Sequence, residues 1–195
     1  MTLFSRTIAL AASLLFSCAA NATVIGFETN NVNSATGWVQ SMSLIQCSTY
    51  EQNSGYCRGR ASGDYVGFIG GTGTFTRTGN QAFTFNGSYM TAAWMDNMSV
   101  EVIGYRNSVA VYTQTKVISD DVATYFAFNY QNIDKLTFRA FGGTDAGTPG
   151  GGSHIAFDNF TYNEAVGAVP EPASLALFGM GLAGLALARR RNKAV

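Results

Sequence analysis

Few residues of this sequence have side chains that could carry out catalysis. The 195 residues include one histidine, His154, so neither a zinc site built on several histidines nor a recognisable Ser-His-Asp triad is predicted. Twelve acidic residues are present, and glycoside hydrolysis would need a pair of carboxylates from among them. No spacing singles out such a pair. We therefore predict that the protein is not an enzyme.

Two of the three cysteines could form a covalent cross-link. Cys47 and Cys57 flank the polar segment 48–56, whereas Cys18 lies in the apolar start of the chain. In an oxidising compartment, Cys47 and Cys57 are expected to form a disulfide bond. A metal or redox site is the alternative, but it would need more ligands than one histidine provides.

The first 22 residues have the pattern of a secretory signal peptide. Arg6 precedes an almost unbroken apolar run at residues 8–16, and small residues follow up to Ala22. We predict cleavage after Ala22. Residues 15–18 also resemble a lipoprotein cleavage box, in which Cys18 would carry a lipid, but the bulky Phe16 departs from that pattern.

A second apolar segment, residues 173–188, has distinctive residues on both sides. Before it, Val169-Pro170-Glu171-Pro172 contains two prolines, which a regular helix interior does not accept. After it come Arg189, Arg190 and Arg191. A helix of this length would span about 24 Å, slightly less than the hydrocarbon core, so we predict a transmembrane helix with residues 189–195 as a basic cytoplasmic tail. A buried core helix is the alternative.

This order of motif, apolar run and arginine cluster resembles the PEP-CTERM sorting signal of Gram-negative bacteria. The resemblance implies that Val169, Pro170, Glu171, Pro172, Arg189, Arg190 and Arg191 form a sorting motif that is processed by a membrane protease, the exosortase. It also implies export through the secretion translocon and transient anchoring in the inner membrane, with the folded part in the periplasm. The processed protein would then reach the cell surface or the extracellular space.

The region between the two signals, residues 23–165, is predicted to fold as one domain, which the linker 166–172 joins to the tail. Its seven basic and eleven acidic residues give a net charge of −4 and are scattered, so no nucleic-acid partner is predicted. Short runs alternate apolar and polar residues, and Gly and Asn separate them. We predict an all-β fold, an antiparallel jelly-roll-like β-sandwich. The predicted strands are 24–28, 65–69, 82–86, 90–95, 100–106, 109–115, 125–130, 136–141 and 155–162, with a hairpin turn at 107–108 and Gly-rich surface loops at 70–73 and 142–152.

Two short motifs lie at opposite ends of the sequence of this domain. Gly26-Phe27-Glu28 and Ala156-Phe157-Asp158-Asn159-Phe160 resemble the jelly-roll carbohydrate-binding modules, in which an early and a late acidic residue lie near each other. The resemblance implies that Glu28 and Asp158 hold a structural calcium ion, for which hard oxygen ligands are suitable. Alternatively, both residues only end strands or face solvent.

Exposed aromatic side chains are the usual sugar-binding groups, because they stack on pyranose rings. Trp38 lies in a polar stretch, and Tyr50 and Tyr56 lie within the segment between the two cysteines. We expect these three side chains to be exposed, and they are our candidate ligand-binding residues.

Three functions fit these observations. The first is an exported, non-enzymatic surface or extracellular-matrix protein, structural or adhesive in exopolysaccharide or biofilm, as the PEP-CTERM resemblance implies. The second is a carbohydrate-binding module with a structural calcium site. The third is a secreted glycan-active enzyme. Extracellular polysaccharide is the expected partner in the first two cases.

Overall fold

The fold is that of a computed structural model, which describes residues 22–28, 38–50 and 53–164. In these ranges the chain forms short and long β-strands, one four-residue helix and a 3₁₀ turn at Thr78–Asn80. In chain order the elements are β1 (Thr23–Ile25), β2 (Trp38–Gln40), β3 (Ser43–Gln46), α1 (Gly55–Arg58), β4 (Tyr65–Gly70), β5 (Thr72–Arg77), β6 (Phe83–Ala92), β7 (Met95–Asp96), β8 (Met98–Arg106), β9 (Val109–Ile118), β10 (Thr124–Ile133), β11 (Lys135–Phe141), β12 (Thr144–Asp145) and β13 (His154–Tyr162).

Two antiparallel sheets pack face to face. The first sheet has the order β10-β6-β13-β4-β3, and β1 also pairs with β13. The second sheet has the order β2-β5-β11-β8-β9, while β12 and β7 form a separate two-stranded sheet. Neighbours in sequence often belong to different sheets, so the chain crosses repeatedly between the layers. The prediction of an all-β, jelly-roll-like sandwich is confirmed.

Aromatic side chains fill the space between the sheets. Alternate residues of β8 are buried, which is the period that a strand with one face on the core requires. Phe75 of the second sheet stacks on Phe160 of the first, with ring centroids 5.4 Å apart. Phe138 meets the edge of Phe157 at 4.9 Å. Such rings each bury a large apolar area and therefore contribute strongly to the stability of the core.

Several strand boundaries differ from the predictions. The segments predicted as strands 82–86 and 90–95 are joined in one strand, β6, because Gly87 and Ser88 continue the extended backbone. The predicted loop 70–73 is shorter, since Thr72 and Gly73 already belong to β5. Gly71 has a φ of +74°, which makes the tight turn between β4 and β5 possible.

The first and last strands meet at one end of the sandwich, where Thr23 pairs with Tyr162. Short connections join the sheets at the same end, between β5 and β6 and between β10 and β11. The β8–β9 turn lies there too, because Tyr105 pairs with Lys135 at the start of β11. We call this the terminal end of the sandwich.

Two predicted segments lie outside the described residues: the signal peptide, apart from Ala22, and the linker, apolar run and basic tail after Glu164. Within the described ranges, no helix combines the length and the apolar character that crossing a membrane requires. The predicted transmembrane helix at 173–188 is not among those ranges.

Candidate functional site

Two of the three aromatic residues predicted to bind ligand are buried. Trp38 is 1% exposed and Tyr56 is 2% exposed, so the expectation that they face solvent is wrong. Trp38 begins β2 and meets the edges of Phe83 and Tyr162, at centroid distances of 4.8 and 5.0 Å. Neither side chain can offer its face to a sugar. Tyr50 is 48% exposed and keeps the predicted accessibility.

The predicted disulfide bond between Cys47 and Cys57 is confirmed, with the two Cα atoms 5.4 Å apart. It ties the end of β3 to α1. Asp64 supports the same region, because its carboxylate accepts hydrogen bonds from the Ser48 hydroxyl at 2.6 Å and the Gln46 side-chain amide at 3.0 Å. These bonds hold the pKa of Asp64 below its usual value.

Tyr56 packs in a small aromatic cluster beside the disulfide. Its ring meets Trp94 at 5.2 Å and Phe68 at 5.0 Å, and its hydroxyl is hydrogen-bonded to Nδ1 of His154. Burial raises the pKa of Tyr56 to about 12 and lowers the pKa of His154. The histidine, which begins the central strand β13, is therefore part of this aromatic cluster, with Tyr56 as its hydrogen-bond partner.

Glu28 and Asp158 converge on one loop, residues 61–65. Asp158 is fully buried, and its Oδ2 accepts hydrogen bonds from the backbone N–H groups of Ala61 and Ser62 at 2.6 and 2.7 Å. Glu28 accepts from the N–H groups of Asp64 and Tyr65 at 2.8 and 3.2 Å. The two carboxylates fix the backbone that leads into β4.

This arrangement does not fit the expected calcium site. The remaining oxygen of Asp158, Oδ1, accepts from the N–H of Asn159 at 2.6 Å, so all four carboxylate oxygens of Glu28 and Asp158 already face N–H donors. Oδ2 of Asp158, with two N–H donors, has no lone pair left for a cation, and the donor hydrogens at the other three oxygens oppose a positive charge beside them. Among the residues that the structure describes, no group of three or more His, Cys, Asp or Glu side chains could hold a metal ion.

A polar cleft opens at the terminal end of the sandwich. Its volume is about 320 Å³, and three chain turns that are distant in sequence surround it. We call it the terminal cleft. Its lining residues are Thr76, Asn80, Arg106, Asn107, Ser108, Asp134 and Lys135.

Asp134 joins two of the turns that form the terminal cleft. Asn107 and Ser108 both have positive φ angles, 49° and 66°, as a type I′ hairpin turn requires. The N–H of Asn107 donates to Oδ2 of Asp134 at 2.7 Å, and the N–H of Asp134 donates to the carbonyl of Tyr105 at 2.9 Å. The β8–β9 and β10–β11 turns are therefore held in a fixed relation.

The terminal cleft is positively charged although the domain is acidic. Nη1 of Arg106 lies 3.9 Å from Oδ2 of Asp134, and Nζ of Lys135 lies 4.1 Å from the centroid of the Tyr105 ring. Two cations and one carboxylate leave a net charge of +1 at the cleft. Guanidinium and ammonium groups donate charge-assisted hydrogen bonds, so this arrangement can bind hydroxyl and carboxylate oxygens.

Sequence reasoning missed the terminal cleft. It identified 107–108 as a hairpin turn, but nothing in the sequence indicates that Asn80 and Lys135 lie beside it. An Asn or Asp at each of the three turns was the available signal, and it also fits turns without a function.

Comparisons with known proteins identify one segment of the chain. Residues 168–191 match the PEP-CTERM protein-sorting motif. No curated protein matches the chain. Among solved structures, the chain is similar to TmCBM61 in complex with beta-1,4-galactotriose, with 12% identity, a TM-score of 0.41, and coverage of 72% of this chain and 94% of that chain. It is also similar to the family 32 CBM from C. perfringens NanJ in complex with galactose, with 9% identity, a TM-score of 0.40, and coverage of 70% and 98%. Because both TM-scores are below 0.5, we infer nothing about a ligand from these likenesses.

The sorting motif includes the predicted sorting segment from Val169 to Arg191. The resemblance to PEP-CTERM signals is therefore confirmed. This chain carries a PEP-CTERM protein-sorting motif at residues 168–191, which implies export and membrane-anchored sorting.

Proposed function

We propose that this protein is a non-enzymatic surface or extracellular-matrix protein that adheres to polysaccharide through its terminal cleft. The observation that carries the proposal is the cleft itself, whose volume of about 320 Å³ is at the lower end of the range for ligand sites. Its seven lining residues are all polar or charged, and two of its three turns are joined by hydrogen bonds that Asp134 accepts and donates. A fixed polar cleft on a sorted protein suits an extracellular glycan.

The charge of the cleft favours an acidic polysaccharide. Arg106 can bind a carboxylate through two parallel N–H groups, while Lys135 adds a second positive charge. Asn80, Asn107 and the hydroxyl of Ser108 can exchange hydrogen bonds with sugar hydroxyls. A neutral glycan would bring no charged partner to either cation, whereas a uronate would bring a carboxylate to both. We therefore propose that polysaccharides containing uronate residues are the preferred class of ligand.

The test is affinity electrophoresis of the full chain through gels that contain alginate, polygalacturonate or neutral dextran. The double variant Arg106→Ala/Lys135→Ala should bind both acidic polymers about tenfold more weakly, which corresponds to about 1.4 kcal/mol. The matched control, Lys116→Ala/Arg139→Ala, removes the same charge from strands outside the cleft and should bind as the unmodified chain does. Binding should also fall as salt rises.

Equal losses of affinity in the cleft variant and in the control would contradict the proposal, because binding would then depend only on the overall charge of the protein. Retardation in dextran as strong as in alginate would refute the acidic class while keeping a glycan site. No retardation in any gel would refute adhesion through this cleft.

A carbohydrate-binding module with a structural calcium ion is the second candidate from the sequence. The hydrogen bonds at Glu28 and Asp158 argue against its calcium. We expect the same melting temperature in calcium and in EDTA, and a rise of several degrees with calcium would overturn this expectation. A glycan-active enzyme has less support, because the terminal cleft contains a single carboxylate, that of Asp134, where hydrolysis uses two.

The sorting motif supports the rest of the proposed route. Exosortase would process the chain near Val169-Pro170-Glu171-Pro172, after residues 173–188 have anchored it in the inner membrane. The folded domain would then face the periplasm before it reaches the surface. Mass spectrometry of the surface form should find a C-terminus close to this motif, and an intact tail would contradict processing.

A further inference from the structure

Trp94 lies beneath the glycine-rich segment 146–152, at the end of the sandwich opposite the terminal cleft. It follows β6, which starts at the terminal end with Phe83. The Trp94 ring is 7% exposed. A Cβ at position 150 would lie 2.5 Å from three atoms of its six-membered ring, so the backbone of Gly150 covers one face of the ring. We call residues 146–152 the strap.

The contact between the strap and Trp94 requires glycine at position 150. Any other residue would place its Cβ against the Trp94 ring, and the φ angle of Gly150, +139°, also favours glycine. The neighbouring Gly151 differs in both respects, because a Cβ there would meet no atom within 4 Å and its φ angle lies outside the left-handed region. Substitutions at these two glycines therefore distinguish the cover on Trp94 from the flexibility of the segment.

Few bonds hold the strap in place. Its first residue, Ala146, donates its N–H to the carbonyl of Trp94 at 3.0 Å, and the next residue donates its N–H to Oδ1 of Asp145 at 2.8 Å. Within the described part of the chain, residues 148–152 make no hydrogen bond, and the hydroxyl of Thr148 is buried without a partner. An unpaired buried hydroxyl costs free energy, and four of the seven strap residues are glycine, which loses the most conformational freedom on ordering. The closed strap is therefore held mainly by its contact with Trp94.

We propose that the strap opens to expose a second binding site, in which a neutral sugar ring stacks on Trp94 in place of Gly150. The face of a pyranose ring with equatorial hydroxyls is apolar, as the face of an indole is, and its hydroxyls would pair with the unpartnered hydroxyl of Thr148. The two charged residues of β7 and β12, Asp96 and Asp145, are both acidic and oppose a uronate. Chains of β-1,4-linked glucose therefore fit best. The ten residues of β6 place this site about 33 Å from the terminal cleft, and the inference does not depend on that cleft.

The first test compares two alanine variants of the full chain in mild detergent. Gly150→Ala should push the strap off Trp94, so acrylamide should quench the tryptophan fluorescence more strongly, while the other tryptophan, Trp38, stays buried. Calorimetry should show that this variant binds cellotetraose about tenfold more tightly than the unmodified chain does, because no closed state competes with the sugar. The matched control Gly151→Ala should behave as the unmodified chain in both measurements. Unchanged quenching in Gly150→Ala, or equal cellotetraose affinity in all three proteins, would overturn the proposal.

Oxidation mapping tests the same site without any substitution, in case Gly150→Ala fails to fold. N-bromosuccinimide oxidises accessible indole rings, and mass spectrometry of the digested full chain locates the product. Trp94 should be oxidised faster than Trp38 in the unmodified chain, because the strap opens over it, and cellotetraose should slow this oxidation. Tri-galacturonate should give no protection, because the acidic residues beside the strap repel it. Equal oxidation of both tryptophans, no protection by cellotetraose, or equal protection by tri-galacturonate would overturn the proposal.

Discussion

Trp38 illustrates how a single residue can be misjudged from its neighbours in sequence. The polar stretch before it predicted an exposed ring, but β2 pairs with β5 and turns Trp38 into the core. There it meets Phe160 at 5.5 Å, and the guanidinium of Arg77 lies 5.7 Å from its ring centroid. Its role is therefore to stabilise the terminal end from inside.

Replacing Trp38 should reduce stability and should not act on a binding surface. Trp38→Ala removes a fully buried ring and is expected to cost about 3–5 kcal/mol of unfolding free energy. Trp38→Phe keeps an aromatic ring in the core and should cost less. Urea denaturation measures both. A destabilisation below 1 kcal/mol for Trp38→Ala would show that the ring is not packed as described.

The pKa values of Asp158 and Asp64 should be shifted in opposite directions from that of a free aspartate. Burial raises the pKa of Asp158, with N–H bonds from Ser62 and Ala61 opposing it, whereas hydrogen bonds from Ser48 and Gln46 lower the pKa of Asp64. The contribution of Asp158 to stability therefore falls as pH rises through its raised pKa. That of Asp64 is present above the usual carboxyl pKa and is lost as pH falls through its lowered pKa.

Carboxyl-carbon NMR titration measures both groups directly. The midpoint should lie above the value of a free aspartate for Asp158 and below it for Asp64. Ser48→Ala removes one hydrogen bond to Asp64, so it should raise that midpoint and leave Asp158 unchanged. Two midpoints on the same side of the free value would contradict the hydrogen bonding described here.

At the scale of elements, the 61–65 loop shows how the two ends of the domain stabilise its middle. Glu28 follows β1, and Asp158 lies within β13, yet both hold the backbone before β4. Gly63 makes this possible, because its φ is +54° and a Cβ there would overlap the carboxylate of Glu28. The loop therefore needs a glycine here for two reasons: the positive φ angle, and the space that the carboxylate of Glu28 occupies.

Two alanine variants separate these effects. Gly79 also has a positive φ, +73°, but a Cβ there would meet no atom within 4 Å. Gly79→Ala should therefore cost only the strain of the left-handed backbone, about 1–2 kcal/mol. Gly63→Ala should cost clearly more, because Glu28 must also release its N–H bonds. Thermal unfolding measures the difference, and equal losses would show that Glu28 does not hold the loop.

The strands that alternate clearly could be predicted from sequence, and the others could not. β8 and β11 alternate apolar and polar residues over most of their length, which indicates their inward faces, whereas the alternation of β13 is interrupted at Asp158 and Asn159, where its pairing with β6 shifts register. In β5 one inward position is Gly73, which packs against Ile69 but gives no hydropathy signal. The terminal cleft was out of reach for another reason, because its turns come together only through pairing between distant strands.

At the scale of the whole molecule, the terminal cleft and the last described residue, Glu164, lie toward the same end of the sandwich. The last described residue, Glu164, follows β13 at the terminal end, and the apolar run starts nine residues later, at Ala173. Nine residues reach at most about 32 Å when fully extended. If the apolar run is anchored before processing, as we propose, the terminal cleft must lie close to the membrane surface.

Processing should therefore increase access to the cleft for large ligands. The uncleaved chain in membrane vesicles is expected to bind long alginate more weakly than the released chain does, because the bilayer excludes a polymer from the terminal end. Short uronate oligomers should bind both forms equally. Inserting twenty Gly/Ser residues after Glu164 adds a linker of about 25 Å root-mean-square length and should restore binding of the polymer to the anchored chain. Equal polymer binding by the anchored and released forms would show that the cleft faces away from the membrane, whereas a loss for both ligands would indicate that anchoring disturbs the cleft itself.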